Sequence, residues 1–103
     1  MSKRLDILEK LAGADTVDAF ALYALALEYR REGRTADALA TFEKLRAKDA
    51  EYLPMYLMAG ELLAEDGREG EARTWFEAGI ALAMRKGDSK TRSELETALE
   101  RTR

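Results

Sequence analysis

The chain has 103 residues, with 17 Lys+Arg against 20 Asp+Glu, and it contains neither cysteine nor histidine. This length predicts one domain, and 47% hydrophobic with 36% charged residues predicts a soluble, folded chain rather than a disordered one. The absence of cysteine excludes disulfides, thiolate nucleophiles and zinc fingers, and the absence of histidine removes the usual general base and metal ligand. The amino terminus has no apolar signal region, and no charge-free stretch exceeds nine residues, so we expect a cytoplasmic protein without a membrane span.

The choice of apolar residues predicts an all-α fold. The chain has 18 Ala and 15 Leu, which are strong helix formers, against only three β-branched aliphatic residues, Ile7, Val17 and Ile80. Its single proline, Pro54, leaves long stretches uninterrupted.

Glycines divide the chain into six predicted helices. Gly13, Gly33, Gly67 and Gly87 each follow a run of helical periodicity and precede a polar start, which is typical of helix ends. In chain order the predicted helices are Ser2–Ala12, about Thr16–Glu32, Thr35–Lys48, about Leu53–Asp66, Glu69–Lys86 and Ser89–Thr102.

Caps and apolar stripes support these helices. Asp15 or Thr16 is expected to cap the second helix, and Pro54 is tolerated in the first turn of the fourth. Thr91 and Glu94 have the spacing of a capping box in the sixth. In the first helix, one face carries Leu5, Leu8, Leu11 and Ala12. The predicted inward stripe of the third helix is Ala38, Leu39, Phe42 and Leu45, and the sixth has a narrow stripe of Leu95, Ala98 and Leu99.

The most informative feature is an internal repeat with an offset of 34 residues. The identical pairs are Gly33 and Gly67, Arg34 and Arg68, Ala38 and Ala72, Phe42 and Phe76, Glu43 and Glu77, and Ala47 and Ala81. A helix–turn–helix unit that recurs at this period predicts a stacked array of helix pairs.

These residues resemble the tetratricopeptide-repeat family, as found in small bacterial two-repeat proteins. The first helix of the family's repeat follows the pattern W-x2-L-G-x2-Y. Those places are filled by Leu22, Leu25, Ala26 and Tyr29, and again by Tyr56, Ala59, Gly60 and Leu63. The second helix of the repeat has a small residue followed by an aromatic one, here Ala38 with Phe42 and Ala72 with Phe76.

The resemblance implies a right-handed α-solenoid of antiparallel helix pairs, with about six helices in one domain covering residues 1–103. Residues 1–18 would hold a flanking helix, 19–52 the first repeat, 53–86 the second repeat and 87–103 a carboxyl-terminal capping helix. Ala26 and Gly60 are expected at close helix contacts, and Phe42 and Phe76 between neighbouring helix pairs. Because Met84 replaces the proline that usually closes a repeat, the fifth helix should extend to Gly87.

In that family the first helices of successive repeats line a concave groove that holds a peptide or helix of a partner protein. We therefore expect a non-catalytic protein-binding scaffold. Its partner-binding residues would be Phe20, Tyr23, Leu27, Arg30, Arg31, Leu57, Met58 and Glu61. Two alternatives stay open. The amino-terminal helix or a neighbouring repeat could bury these apolar residues, or they could meet in a homodimer, which would make the chain a self-assembling structural module.

The polar clusters of the sequence do not predict a catalytic, metal-binding or nucleic-acid-binding site. The cluster of Arg30, Arg31 and Arg34 could bind a carboxylate or phosphate, although cations are also favoured at a helix carboxyl terminus. The acidic ridge of Glu61, Glu65 and Glu69 lacks a histidine, a nucleophile or a glycine-rich loop beside it, so no metal, cofactor or catalytic residue is predicted. Residues 85–103 carry a net charge of only +2, interleaved with carboxylates, so nucleic acid is not expected as a partner.

Overall fold

The structure, a computed structural model, describes residues 3–14 and 17–102. Within them lie six α-helices and no strand, which confirms the predicted all-α class. The helices are α1 (Lys3–Ala12), α2 (Ala19–Arg31), α3 (Thr35–Lys48), α4 (Pro54–Glu65), α5 (Glu69–Lys86) and α6 (Ser89–Glu100). They form two compact units: Met1–Tyr52 holds α1 to α3, and Leu53–Arg103 holds α4 to α6.

Most predicted helix bounds are confirmed within a residue, and those of α3 and α5 agree at both ends. The start of α2 at Thr16 was wrong. This helix begins at Ala19, because the Asp18 carboxylate accepts a hydrogen bond from the backbone N–H of Ala21 at 2.7 Å and so caps it. The predicted caps Asp15 and Thr16, like Ser2, lie outside the described residues.

The predicted end and cap of α6 were also wrong. The helix stops at Glu100, where the Thr102 hydroxyl donates to the carbonyl of Leu99 at 2.7 Å and closes a turn. The Asp88 carboxylate, rather than a Thr91–Glu94 capping box, caps the other end by accepting from the Thr91 N–H and hydroxyl at 3.0 and 2.8 Å. These two bonds hold the pKa of Asp88 below its usual value, because they favour the charged carboxylate.

Three of the four punctuating glycines end helices in the left-handed region. Gly33, Gly67 and Gly87 have φ angles of 76°, 79° and 70°, which residues with a Cβ atom rarely adopt. Gly13 has no positive φ. Gly87 stops α5 after 18 residues, as predicted for a helix with no earlier stop.

The core of the first unit forms where α2 packs against α1 on one side and α3 on the other. Its buried side chains are Leu5, Leu22, Leu25, Ala26, Tyr29, Ala38, Phe42 and Leu45. Three members of the predicted stripes, Leu8, Ala12 and Leu39, are only half-buried. Leu11, predicted on the same face of α1 as Leu5, is 51% exposed.

In the second unit, α4, α5 and α6 all contact one another. A Cβ built on Gly60 would overlap the ring of Phe76, 2.6 Å from its Cδ1, so the aromatic side chain lies directly on the glycine. Phe76 therefore packs inside the α4–α5 pair, rather than only between neighbouring pairs as the family pattern suggested. The rings of Tyr56 and Trp75 add a second contact between the same helices, with their centroids 5.7 Å apart.

Candidate functional site

The predicted partner-binding residues divide between the two units. Phe20, Tyr23, Leu27, Arg30 and Arg31 lie on α2 in the first unit. Leu57, Met58 and Glu61 lie on α4 in the second.

On α2, Phe20 is the most exposed of the predicted apolar residues. It lies in the first turn, and its side chain is 67% exposed. Tyr23, one turn further along, is half-buried, and its ring centroid lies 5.2 Å from that of Tyr52. Leu27 is half-buried as well. Phe20 is therefore the residue of this set that offers the largest apolar surface, while Tyr23 also contributes to packing within its own unit.

Of the three arginines at the end of α2, Arg34 has identified partners on α2 and α3. Arg30 and Arg31 lie in the last turn, where cations are favoured by the helix dipole. Arg34 instead lies over the ring of Tyr29, 4.7 Å from its centroid, and its Nε donates to Asp37 at 2.8 Å. Arg34 is thus committed to the start of α3.

A polar contact that the sequence analysis missed joins α1 to α2. The Tyr29 hydroxyl donates to a Glu9 carboxylate oxygen at 2.6 Å, and Arg4 forms a 3.5 Å ion pair with the buried Glu28. The hydrogen bond to Glu9, with burial and the nearby negative charge, raises the pKa of Tyr29 to about 12. Tyr29 was identified only as a packing position of the repeat, and nothing in its spacing from Glu9 along the chain indicates the bond.

On α4, two of the predicted residues line an open cavity. Leu57 and Glu61, one turn apart, face α6 across a cavity of about 280 Å³. The α6 residues in its lining are Ser93, Glu94, Thr97, Ala98 and Arg101. We call this space the α4–α6 cavity. Met58 is half-buried and is not among the lining residues.

A second, larger cavity adjoins the first along α6. It measures about 470 Å³ and is lined by Ser93, Glu96, Thr97, Glu100 and Arg101, three of which also line the α4–α6 cavity. Sequence reasoning missed the α6 residues because it treated that helix only as an end cap. The available signal was the spacing of Ser93, Thr97 and Arg101, which recur every four residues and so share one face of a helix.

The side chains of this lining offer groups that can bind a ligand. The residues supply carboxylates, hydroxyls, one guanidinium and two apolar side chains. No group of three or more His, Cys, Asp or Glu side chains that could hold a metal ion occurs in residues 3–14 and 17–102. The arrangement can therefore contact a polypeptide by hydrogen bonds, charge and apolar packing.

Two solved structures decide the family. A solution NMR structure of a tetratricopeptide repeat domain protein from Salinibacter ruber is 34% identical, covers 86% of this chain and 90% of its own, and has a TM-score of 0.80. A crystal structure of the same target protein is also 34% identical, covering 82% of this chain and 96% of its own with a TM-score of 0.77. The chain belongs to the tetratricopeptide-repeat family.

A more distant structure shares the fold. The crystal structure of PcrH from Pseudomonas aeruginosa has a TM-score of 0.86 over 95% of this chain and 75% of its own, at 20% identity. No protein-family model matches the chain, and no curated protein does either.

Family membership gives the general class of function. Tetratricopeptide repeats typically build protein-interaction modules, and this chain is a helical-repeat module of that family. Across residues 3–14 and 17–102, no helix has the length and apolar character that crossing a membrane requires.

Proposed function

We propose that the protein binds a peptide or helical segment of another protein and carries out no chemistry of its own. The observation that carries this proposal is the α4–α6 cavity, where Leu57 and Glu61 face side chains of a different helix across open space. In the first unit, the exposed Phe20 with Leu27, Arg30 and Arg31 on α2 forms a second candidate contact surface.

The composition of the α4–α6 cavity suits a polypeptide ligand. Leu57 and Ala98 provide apolar area, while Ser93, Thr97 and the charged residues provide hydrogen bonds at its edge. Protein interfaces combine these elements as an apolar centre with a polar rim. Because each surface is small, we expect weak to moderate affinity.

Selection of peptide ligands provides the test. Peptides displayed on phage are selected on the wild-type protein, and each binder is then measured on Leu57→Glu, on Thr97→Glu and on Glu77→Lys. Glu77 is exposed on α5 and does not line either cavity described above, so the last variant is the matched control. We expect the first two variants to lose binding and the control to keep it. Binders that are indifferent to Leu57 and Thr97 would contradict the α4–α6 cavity as the site.

The alternative function is self-assembly as a homodimer. It is favoured by three large apolar side chains of the first unit that are largely exposed, Ile7 at 60%, Leu11 at 51% and Phe20 at 67%. Ile7 and Leu11 are one turn apart on α1, so they share a face of that helix. An unpartnered apolar strip of this kind can be covered by a second copy of the chain.

A further inference from the structure

We infer that the face of α2 beneath α1 is a protein-binding surface that α1 itself occupies. Its external ligand is an amphipathic helix with the chemistry of α1, in which a leucine is preceded by an arginine and followed four positions later by a glutamate. This surface lies in the first unit, so the inference goes beyond the proposed function and does not depend on the α4–α6 cavity.

The sparse attachment of α1 is the first argument. Within the first unit α1 contacts α2 but not α3, and Leu5 is the one side chain that this helix buries. By contrast, α6 contacts both α4 and α5 and buries Leu95 and Ala98. Elements with few buried contacts open locally at a lower free energy than the rest of a fold. We therefore expect α1 to leave α2 without unfolding of the whole chain.

The polar groups that α2 presents to α1 are the second argument. Glu28 and Tyr29 are consecutive residues of α2, and both are buried. Glu28 forms the 3.5 Å ion pair with Arg4, and the Tyr29 hydroxyl donates to Glu9 at 2.6 Å. Buried polar side chains cost free energy unless they are paired. This face of α2 is therefore specific for a helix with an arginine and a glutamate at matching positions.

The apolar side of the contact is the third argument. Leu5 is 2% exposed, and it shares a face of α1 with the half-buried Leu8, Glu9 and Ala12. Ile7, two residues after Leu5, is 60% exposed. A helix that replaces α1 therefore needs a leucine at the place of Leu5, whereas the place of Ile7 is free to vary.

A helix of another protein suits this surface better than a second copy of the chain. The α1 of a second copy is already tethered beside its own α2, at a high effective concentration. Exchange of α1 between two copies gains no new contact within the surface and loses that advantage. A partner helix that carries the same three side chains, and makes further contacts of its own, can displace α1.

Hydrogen exchange of the full chain, followed by NMR, tests whether α1 opens alone. We expect protection factors for the amides of residues 8–12 in α1 that are at least about tenfold lower than those of residues 94–99 in α6. Equal protection in the two helices would show that α1 opens only when the whole chain unfolds, and that result would overturn the inference.

Variants of the chain test whether α1 competes for the surface. The probe is a fluorescein-labelled peptide with the sequence of residues 1–14, and its binding to the full chain is measured by anisotropy. Leu5→Ala in the chain should tighten binding of the peptide by about fivefold or more, because it weakens the tethered competitor. Arg4→Ala, at a side chain that is 70% exposed, is a milder variant expected to act in the same direction. Ile7→Ala is the matched control on the same helix and should change binding by less than about twofold.

Variants of the peptide, measured on the chain that carries Leu5→Ala, test the chemistry of the ligand. Leu5→Ala or Glu9→Gln in the peptide should weaken its binding by about fivefold or more. Ile7→Ala in the peptide should change binding by less than about twofold, because this side chain is exposed when α1 lies on α2.

Three further results would overturn the inference. One is failure of the unaltered peptide to bind the chain that carries Leu5→Ala, and another is binding that is indifferent to Leu5 and Glu9 of the peptide. The third is a wild-type dimer at micromolar concentration that excess peptide dissociates, since the occupant would then be a second copy. None of these results bears on the α4–α6 cavity, whose test uses Leu57 and Thr97 in the second unit.

Discussion

At the scale of single residues, two glycines decide how closely the helices of the second unit approach. A Cβ at Gly60 would overlap the ring of Phe76, and one at Gly79 would lie 2.7 Å from the Cβ of Tyr56 and 3.0 Å from a methyl group of Leu95. The position equivalent to Gly79 in the first repeat is the fully buried Leu45. In the second repeat, α6 instead brings Leu95 against the glycine.

Substitution of Gly60 is therefore expected to be costly. Gly60→Ala should destabilise the protein by about 1–3 kcal/mol, and the larger Gly60→Leu by that much or more, because the buried Phe76 ring must move. Urea unfolding measures the change. Gly70→Ala is the control: its Cβ would meet only Arg73, at 3.8 Å, so it should be neutral or stabilising. If Gly60→Ala unfolds at the wild-type urea concentration, the ring does not lie on the glycine as described.

A residue-scale prediction for alkaline pH follows from Tyr29. Its pKa is raised in the folded protein from 10.0 to about 12, so the folded state holds this proton more tightly than the unfolded state. The resulting stability is complete below pH 10 and is lost as the pH rises towards 12. Tyr29→Phe should remove this loss and cost about 1–2 kcal/mol at neutral pH, because it also removes the hydrogen bond to Glu9.

The measurement for Tyr29 combines two readouts. Phenol absorbance in the wild type should show one tyrosine that ionises near pH 12 and is missing from Tyr29→Phe. Urea unfolding at several values between pH 8 and 12 gives the stability, and Glu9→Gln should shift the same phenol downwards. A Tyr29→Phe variant whose stability falls with pH as steeply as the wild type would contradict the assignment.

At the scale of elements, α6 is bound to the second unit by both apolar and polar contacts. Leu95 is fully buried, and its methyl groups lie against Gly79 of α5. Just beyond the helix, the Arg73 guanidinium donates to the carbonyl of Thr102 at 3.0 Å. The Asp88 cap fixes where the helix begins. Contacts of this kind allow a terminal helix to cover the apolar end of a repeat.

Removal of this helix should expose the core of its unit. Deleting residues 89–103 uncovers α5 around Gly79, so we expect aggregation or loss of cooperative unfolding. Leu95→Ala is the milder test and should cost about 2–5 kcal/mol. Thermal unfolding followed by circular dichroism, together with sedimentation, measures both variants. Glu96→Ala, exposed on the same helix, is the control. A truncated chain that stays monomeric and unfolds cooperatively would show that α6 is an appendage.

At the scale of the whole molecule, the functional question is whether the chain acts alone or as a pair. The large exposed apolar side chains that the structure describes are Ile7, Leu11, Phe20 and Met84. A stable protein interface buries about 1,200–2,000 Å² in total, which is more than the short strip of Ile7 and Leu11 supplies. We therefore favour partner binding over self-assembly.

Sedimentation equilibrium at micromolar concentration tests this preference. We expect a monomer, and Ile7→Lys with Leu11→Lys should leave the measured mass unchanged. Because both side chains are more than half exposed, this pair should also leave the melting temperature nearly unchanged. A wild-type dimer that the pair converts to monomer would instead establish self-assembly through α1.

The sequence by itself determined the helical class, the repeat period and the family. Helix-forming composition, glycines that require a positive φ and the offset of 34 residues are local or periodic signals, which need no knowledge of long-range contacts. It also predicted that α5 extends to Gly87, since no proline stops it earlier. The partner-binding set from the sequence remains a prediction, because helical spacing assigns residues to a face without saying what covers that face.

Only the tertiary structure decided which residues meet. The bond from Tyr29 to Glu9, the ring of Phe76 on Gly60 and the cavity between Leu57 and α6 each join positions on different helices. Such contacts depend on the distance and rotation between packed helices, which are set by side-chain volumes on both partners at once. The structure also shows that Asp88 caps α6 in place of a Thr91–Glu94 capping box. The turn at Gly87 brings the Asp88 carboxylate within hydrogen-bonding distance of the Thr91 N–H.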